Sequence, residues 1–296
     1  MFRQLFAIMA LFTVTSPAWS ADKEELVKQK ATAEENWKKL GDAKKAIHET
    51  NDLLIYTNLP EAKAKTLGEA AQKTVAAARE ALGFAKDETL FPGKLTVYIF
   101  ADFADLKNFI RKIELRRPEA NTNFTQSLRG DTPFIALSPA SGAKVNDTEL
   151  SAEVATWTGA AVLNKKLGIG PNGNIPEWLQ KGFGKAASVR GDKSESRVAT
   201  HRAKVKAVVL ANGGKSVWAK DVWSGTVVKD ADLAAASLVE YLAFGPGQEK
   251  FLAFCKVLRP GGDDAPAPTI EDALKAAEWS MEGVDTGWKT WVQKGK

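Results

Sequence analysis

Cysteine and histidine are scarce in this chain, which contains one cysteine and two histidines in 296 residues. The single cysteine, Cys255, excludes an internal disulfide, so stability has to come from the hydrophobic core. Cys255 follows an apolar run, which predicts a small buried residue and not a catalytic thiol. The histidines, His48 and His201, lie far apart in the sequence, and we expect neither to bind a metal.

A strong excess of one charge is also missing. The 41 basic and 36 acidic residues give a formal net charge of only +5, and lysine alternates with glutamate along the early segments. This pattern predicts no nucleic-acid partner and no polybasic membrane patch. After the first residues, no apolar run reaches membrane length, so we expect no membrane span in the mature chain. The Gly-x-Ser-x-Gly elbow of serine hydrolases is absent as well.

Residues 1–20 predict a secretory signal peptide. Arg3 precedes an apolar run that is too short to cross a bilayer, and small residues follow at Ala18 and Ser20. We expect cleavage after Ser20, which would place the mature protein in the periplasm or outside the cell.

The segments that flank the centre of the chain are predicted to be helical. Residues 21–48 are predicted to form a leading helix, because Trp37, Leu40 and Ile47 recur at helical spacing. Residues 191–296 consist of several helical patterns separated by Gly and Pro, which predicts an all-helical lobe.

Residues 49–190 alternate between strand and helix patterns, which predicts an α+β lobe. Runs rich in β-branched and aromatic residues predict strands, and stripes of Leu and Ala at helical spacing predict helices. The predicted order is strand 53–56, helix 61–82, strand 95–100, an amphipathic helix from Phe103 to Ile113, a hairpin of strands 124–128 and 134–137, and helices 149–168 and 176–190.

The last two of these helices carry the most informative residues. Residues 152–156 read Ala-Glu-Val-Ala-Thr, and residues 176–184 read Pro-Glu-Trp-Leu-Gln-Lys-Gly-Phe-Gly. They resemble the H-E-x-x-H and W-L-x-E-G-x-A motifs of the gluzincin metallopeptidases, the thermolysin-like clan, and in particular an exported bacterial branch that has lost the zinc ligands. Ala152 and Thr156 stand where that clan has its histidines, and Lys181 stands where it has the ligand glutamate.

The resemblance implies a zincin-like α+β lobe, with a small mixed sheet and a glutamate-bearing helix, followed by the helical lobe. It leaves Glu153 as the vestigial general base and makes Trp157 and Trp178 candidates for the cleft. A methyl group, a hydroxyl and an ammonium cannot replace three zinc ligands. We therefore expect no metal and no cofactor, and we expect Lys181 to form an ion pair with Glu153 in place of the cation.

The leading functional expectation is an exported, catalytically inactive protein whose vestigial cleft binds peptide or protein. Two alternatives stay open at this point. One is a metal-independent hydrolase that uses Glu153, and the other is a structural envelope protein without a ligand.

Overall fold

The computed structural model of the protein describes residues 18–41, 44–140, 146–169, 175–227, 229–259 and 268–295, with the backbone alone for residues 18–22. Most of the predicted signal peptide, residues 1–20, therefore lies outside the described residues. The fold is α+β, with a five-stranded mixed sheet in the first part of the chain. None of the helices within the described ranges is long and apolar enough to cross a membrane.

As far as residue 191, the elements follow one another in the order that the sequence patterns predict, with one additional strand at the start; the later helices include two short ones, at 211–214 and 219–224, that the patterns do not predict. The strands are β1 (Ala46–Glu49), β2 (Leu53–Thr57), β3 (Leu95–Ile99), β4 (Phe124–Ser127) and β5 (Phe134–Leu137). The helices are α1 (Ala18–Lys39), α2 (Glu61–Ala81), α3 (Phe103–Lys112), α4 (Asp147–Leu167), α5 (Glu177–Gly191), α6 (Glu195–Val209), α7 (Ala211–Gly214), α8 (Ala219–Ser224), α9 (Ala231–Phe244), α10 (Gln248–Val257), α11 (Ile270–Ala276) and α12 (Met281–Gln293).

The sheet has the strand order β1-β2-β3-β5-β4. The three central strands are parallel, with Ile55 opposite Val97 and Val97 opposite Ile135. The two outer strands are antiparallel to their neighbours, and β4 forms the predicted hairpin with β5. The sheet is therefore small and mixed, and β4 is one of its two edges.

Both faces of the sheet are covered by helices. Since successive strand residues point to opposite faces, each strand contributes side chains to two different hydrophobic clusters. Ile55 and Val97 belong to the larger hydrophobic cluster, which includes residues of α2, α4 and the later helices. Tyr56 and Tyr98 belong to a second cluster with residues of α1 and α3, among them Trp37. Burial on two sides explains why β2 and β3 appear in the sequence as continuous apolar runs.

Helix α5 packs very closely against α4, and two glycines permit this approach. A Cβ atom at Gly184 would lie 1.8 Å from the backbone oxygen of Thr156, and one at Gly159 would lie 2.9 Å from the Gly184 Cα. No side chain fits at such distances in a close-packed interior. The glycines therefore set how the turn that carries Thr156 faces the turn that carries Lys181.

The prediction of a single leading helix over residues 21–48 is wrong at its carboxyl end. Helix α1 ends at Lys39, and the segment from Ala46 to Glu49 is strand β1, antiparallel to β2. Gly41 has a φ of 108°, which glycine adopts readily and which does not continue a helix. Ile47 therefore lies on an edge strand, where it is 40% exposed, and not on the buried stripe of a helix.

The crossing of α4 and α5 yields a test of the fold. Gly184→Ala should lower the free energy of unfolding by about 3 kcal/mol or more, because its methyl group would overlap the backbone of α4. Chemical denaturation followed by circular dichroism measures this loss. Ser188→Ala, on the same helix, serves as the matched control and should change stability little. A Gly184→Ala variant as stable as the wild type would contradict the described packing.

Candidate functional site

Both ends of α4 are well defined, which places the first motif. Asn146 caps the helix, since its side-chain oxygen accepts hydrogen bonds from the backbone N–H groups of Thr148 (3.0 Å) and Glu149 (3.5 Å). Such a cap stabilises a helix by about 1 kcal/mol. At the other end Gly168, with a φ of 65°, terminates the helix in the left-handed conformation. Helix α5 starts directly after Pro176, whose fixed φ suits a helix start.

Of the six candidate residues that the sequence analysis named, five contribute to the lining of one cavity. This cavity has a volume of about 260 Å³ and lies between α4, α5 and the α8–α9 region. Its lining includes Ala152, Glu153, Thr156, Trp178 and Lys181, together with the charged residues Glu177, Lys185 and Asp232. The sixth candidate, Trp157, lies outside the cavity lining and contributes to a neighbouring groove. We refer to the first space as the α4–α5 cavity.

The expected ion pair between Lys181 and Glu153 is not formed. The Lys181 ammonium instead forms an ion pair with Glu177, one turn earlier on the same helix, with 2.6 Å between Nζ and Oε1. Glu before Lys at this spacing is a favourable helical pair, so the helix satisfies its own lysine. The ammonium also lies 5.4 Å from the centre of the Trp157 ring.

The charge state of Lys181 follows from its surroundings. Partial burial lowers its pKa, but the hydrogen bond and charge of Glu177, with further contributions from Asp232 and Glu153, outweigh burial. The net result is a pKa above the ordinary value for lysine. Lys181 is therefore a stable cation at neutral pH and not a candidate base or amine nucleophile.

Glu153 lines the α4–α5 cavity and is exposed to solvent. Within the described ranges, its carboxylate has no hydrogen bond and no ion pair. Its influence on Lys181 is limited to the long-range attraction that contributes to the raised pKa of that residue. The residue that the motif marks as a general base therefore has no neighbouring group that would orient it.

The α4–α5 cavity does not fit the zinc ion that the resemblance would imply. Ala152, Thr156 and Lys181 do converge on this cavity, but they offer a methyl group, one hydroxyl and an ammonium. Zinc requires deprotonated nitrogen, sulfur or carboxylate donors that converge on one point. In the described part of the chain, no group of three His, Cys, Asp or Glu side chains is arranged to hold a metal ion.

A larger groove adjoins the cavity. Its volume is about 790 Å³, and it is bounded by strand β4, by the segment between α3 and β4, and by the start of α5. Glu177 lines both spaces. Trp157 forms part of the groove and stacks on Phe124 of β4, with ring centres 3.6 Å apart. We call this space the β4 groove.

The backbone of β4 has hydrogen-bonding groups that its neighbour does not use. Ser138 N donates to Asn123 O (3.1 Å), so this is a hydrogen-bonded pair of the antiparallel ladder. Hydrogen-bonded and non-hydrogen-bonded pairs alternate, so Thr125 bonds to β5, whereas the N–H and C=O groups of Phe124 and Gln126 point away from it. Among the described residues no strand pairs with this outer edge.

A buried amide network ties β4 to the two helices. The side-chain nitrogen of Asn164 on α4 donates to Oε1 of Gln126 (3.2 Å) and to Oε1 of Gln180 (3.0 Å). Gln180 in turn donates to the backbone oxygen of Ile175 (2.8 Å). The edge strand, α4 and α5 therefore hold fixed positions relative to one another.

Apart from Trp157 and the motif residues Glu177 and Gln180, the residues of the β4 groove are the part of the site that the sequence patterns did not indicate. Gln126 and Arg116 belong to no recognisable motif, and only the strand order makes β4 an edge. The Glu177–Lys181 pair, by contrast, had a visible signal, since the two residues are four apart on a predicted helix.

Comparisons with known proteins do not assign this site to a family. No protein-family model matches the chain, and no curated protein matches it either. The function therefore has to be inferred from the α4–α5 cavity, the β4 groove and the resemblance of the two motifs.

The pairing of Lys181 gives a testable titration. Glu177→Gln should lower the pKa of Lys181 clearly, whereas Glu153→Gln should lower it much less, as NMR of the lysine side chain would measure. The pKa of Lys181 in the folded protein lies above its value of about 10.4 in the unfolded chain. The contribution of the charged lysine to the free energy of unfolding is therefore complete below the unfolded-state pKa, and it is lost as pH rises through the folded-state pKa.

The stability effect of the same pair should be small. Lys181→Ala should cost no more than about 1 kcal/mol, since the pair is partly exposed and local to one helix. A larger loss, or strong coupling between Lys181 and Glu153 in a double-mutant cycle, would contradict the described geometry.

Proposed function

We propose that this is an exported, catalytically inactive peptidase-like protein that binds an extended segment of a peptide or protein. The bound segment lies in the β4 groove and runs toward the α4–α5 cavity. The observation that carries this proposal is the free outer edge of β4, which forms one wall of a groove large enough for a peptide. Export rests on the signal-like pattern of residues 1–20.

Strand addition is the binding mode that suits this edge. An extended peptide can donate to and accept from the outward N–H and C=O groups of Phe124 and Gln126, as in other cases of β-augmentation. The edge is held rigidly by the Asn164 network, so little order has to be gained on binding. Main-chain pairing supplies affinity, and the surrounding side chains supply selectivity.

The absence of catalysis in this proposal rests on the chemistry of the α4–α5 cavity. The ammonium of Lys181 occupies the region where the resemblance expects a metal ligand, and it is held there by Glu177. Glu153 remains, but it is exposed and has no partner to orient it among the described residues. Descent from an active gluzincin peptidase accounts for both the convergence of these positions and the loss of their donors.

The binding proposal can be tested with a library of displayed random linear peptides, selected on the purified wild-type chain. The selected peptides should bind Gln126→Pro at least about tenfold more weakly than wild type, because proline removes an outward N–H donor and blocks close strand pairing. Fluorescence anisotropy with a labelled selected peptide measures the affinity.

Gln126→Ala is the matched control for this experiment. It removes the same side chain and its bond to Asn164 but keeps the backbone donor, so it should bind much more like wild type. If the library yields no binding peptide, or if Gln126→Pro binds as well as Gln126→Ala, strand addition at β4 is wrong.

The proposed ancestry predicts that the metal site can be rebuilt. Wild-type protein should hold well under one zinc per chain after dialysis, whereas the triple variant A152H/T156H/K181E should hold about one, because its donors line one cavity. Elemental analysis by mass spectrometry measures the content. The double variant A152H/T156H keeps the ammonium and should bind zinc more weakly. Stoichiometric zinc in the wild type, or none in the triple variant, would contradict the alignment.

A further inference from the structure

Leu115, between α3 and β4, combines two unusual properties. Its side chain is 83% exposed, the largest exposure of any large hydrophobic residue in the described ranges. Its φ is 55°, in the left-handed region, which bulky side chains rarely adopt. The other described non-glycine residues with positive φ are Asn212, Asp230 and Glu278, all of them polar. Leu115 therefore destabilises the folded protein in two ways, through backbone strain and through apolar surface that is exposed to water.

The position of Leu115 connects it with the β4 groove. Its neighbours Ile113, Glu114 and Arg116 all line that groove. Arg116 fixes the segment in place, since its Nε donates to Glu114 Oε2 (2.6 Å) and its Nη2 donates to the Thr125 hydroxyl on β4 (2.9 Å). The strained leucine is thereby held at the rim of the groove, beside the free strand edge.

The segment that carries Leu115 is strongly cationic. Arg111, Lys112, Arg116 and Arg117 are all exposed, and the only carboxylate in the same stretch, Glu114, is already paired with Arg116. Within the described residues, Arg111 and Arg117 have no ion-pair partner. We call residues 111–117 the Leu115 rim. Its charge favours an acidic partner, because complementary charges guide association and discriminate between partners.

We propose that the Leu115 rim selects the peptide that binds at β4, and that this peptide carries an apolar side chain flanked by acidic residues. The apolar side chain packs on Leu115, and the acidic side chains face Arg111 and Arg117. The inference rests on the proposed strand addition and specifies its ligand. It explains why a strained, exposed leucine occurs at a position where glycine or asparagine would be free of strain.

An anionic membrane surface is the competing partner for a leucine among cations. A single exposed leucine offers little apolar area for insertion, and membrane-binding segments present a whole apolar face. The rim is also continuous with the groove through the bond from Arg116 to Thr125. These two features favour a peptide.

The test uses the purified full chain and labelled extended peptides of alternating Thr and Val. In the acidic probe a central leucine is flanked by glutamates, and in the matched basic probe the glutamates are replaced by lysines. The wild type should bind the acidic probe roughly tenfold more tightly than the basic one, and the double variant R111Q/R117Q should remove most of that difference. Leu115→Gly should weaken binding of the acidic probe roughly tenfold.

Stability distinguishes a binding role from a structural one. Leu115→Gly should melt at or above the wild-type temperature, because it relieves strain without removing a buried contact. Asp230→Gly, at a second positive-φ position away from the rim, is the matched control and should keep full binding.

Each further outcome would overturn the inference. Equal binding of both probes, or unchanged binding by Leu115→Gly, removes the role of the rim but leaves strand addition at β4 intact. Failure of every peptide to bind removes the proposed function together with the inference. Binding to vesicles that contain anionic lipid, lost in Leu115→Gly while the peptides do not bind, would assign the rim to a membrane surface.

Discussion

The close approach of α4 and α5 is the constraint on which the rest of the site depends. With glycine at positions 159 and 184, the helix backbones come together more closely than any side chain would allow. This contact sets Ala152 and Thr156 of α4 across from Lys181 of α5, around a single cavity. The amide network that starts at Asn164 extends the same rigid unit to β4. Cavity, groove and strand edge therefore keep fixed relative positions, as a binding site that relies on pre-organisation requires.

Electrostatics separates this site from a metal centre. A divalent cation would have to displace the Lys181 ammonium, which Glu177 holds in a charge-assisted hydrogen bond on the same helix. The positive charge of Lys181 is thereby balanced by Glu177, and Glu153, which is exposed to solvent, needs no cationic partner. What remains for function is geometry: a groove, a free strand edge and a cationic rim. In the proposed function, these features recognise a ligand without acting on it chemically.

Much of the fold follows from the sequence, because its signals are local. Strands β2 and β3 are continuous apolar runs, and Asn146 and Gly168 mark the ends of α4 by known capping chemistry. Two features depended on competition between local and distant partners. Gly41 ended α1 before the helical spacing that includes Ile47 could continue. Lys181 forms its ion pair with Glu177, four residues earlier on the same helix, and not with Glu153 on α4. The β4 hairpin and Trp157 were indicated by the sequence, but the groove that they help to form was not, since strand order and the packing of the α3–β4 segment are tertiary properties.

In the proposed complex, an extended peptide adds to the outer edge of β4, beside the rigid α4–α5 pair. Amide hydrogen exchange, followed by NMR with and without a saturating selected peptide, tests this most directly. If strand addition occurs, the N–H groups of Phe124 and Gln126 should exchange much more slowly in the complex, whereas that of Thr125, already bonded to β5, should change little. If the peptide binds and the exchange of the Phe124 and Gln126 N–H groups is unchanged, the ligand does not pair with β4, which would contradict strand addition.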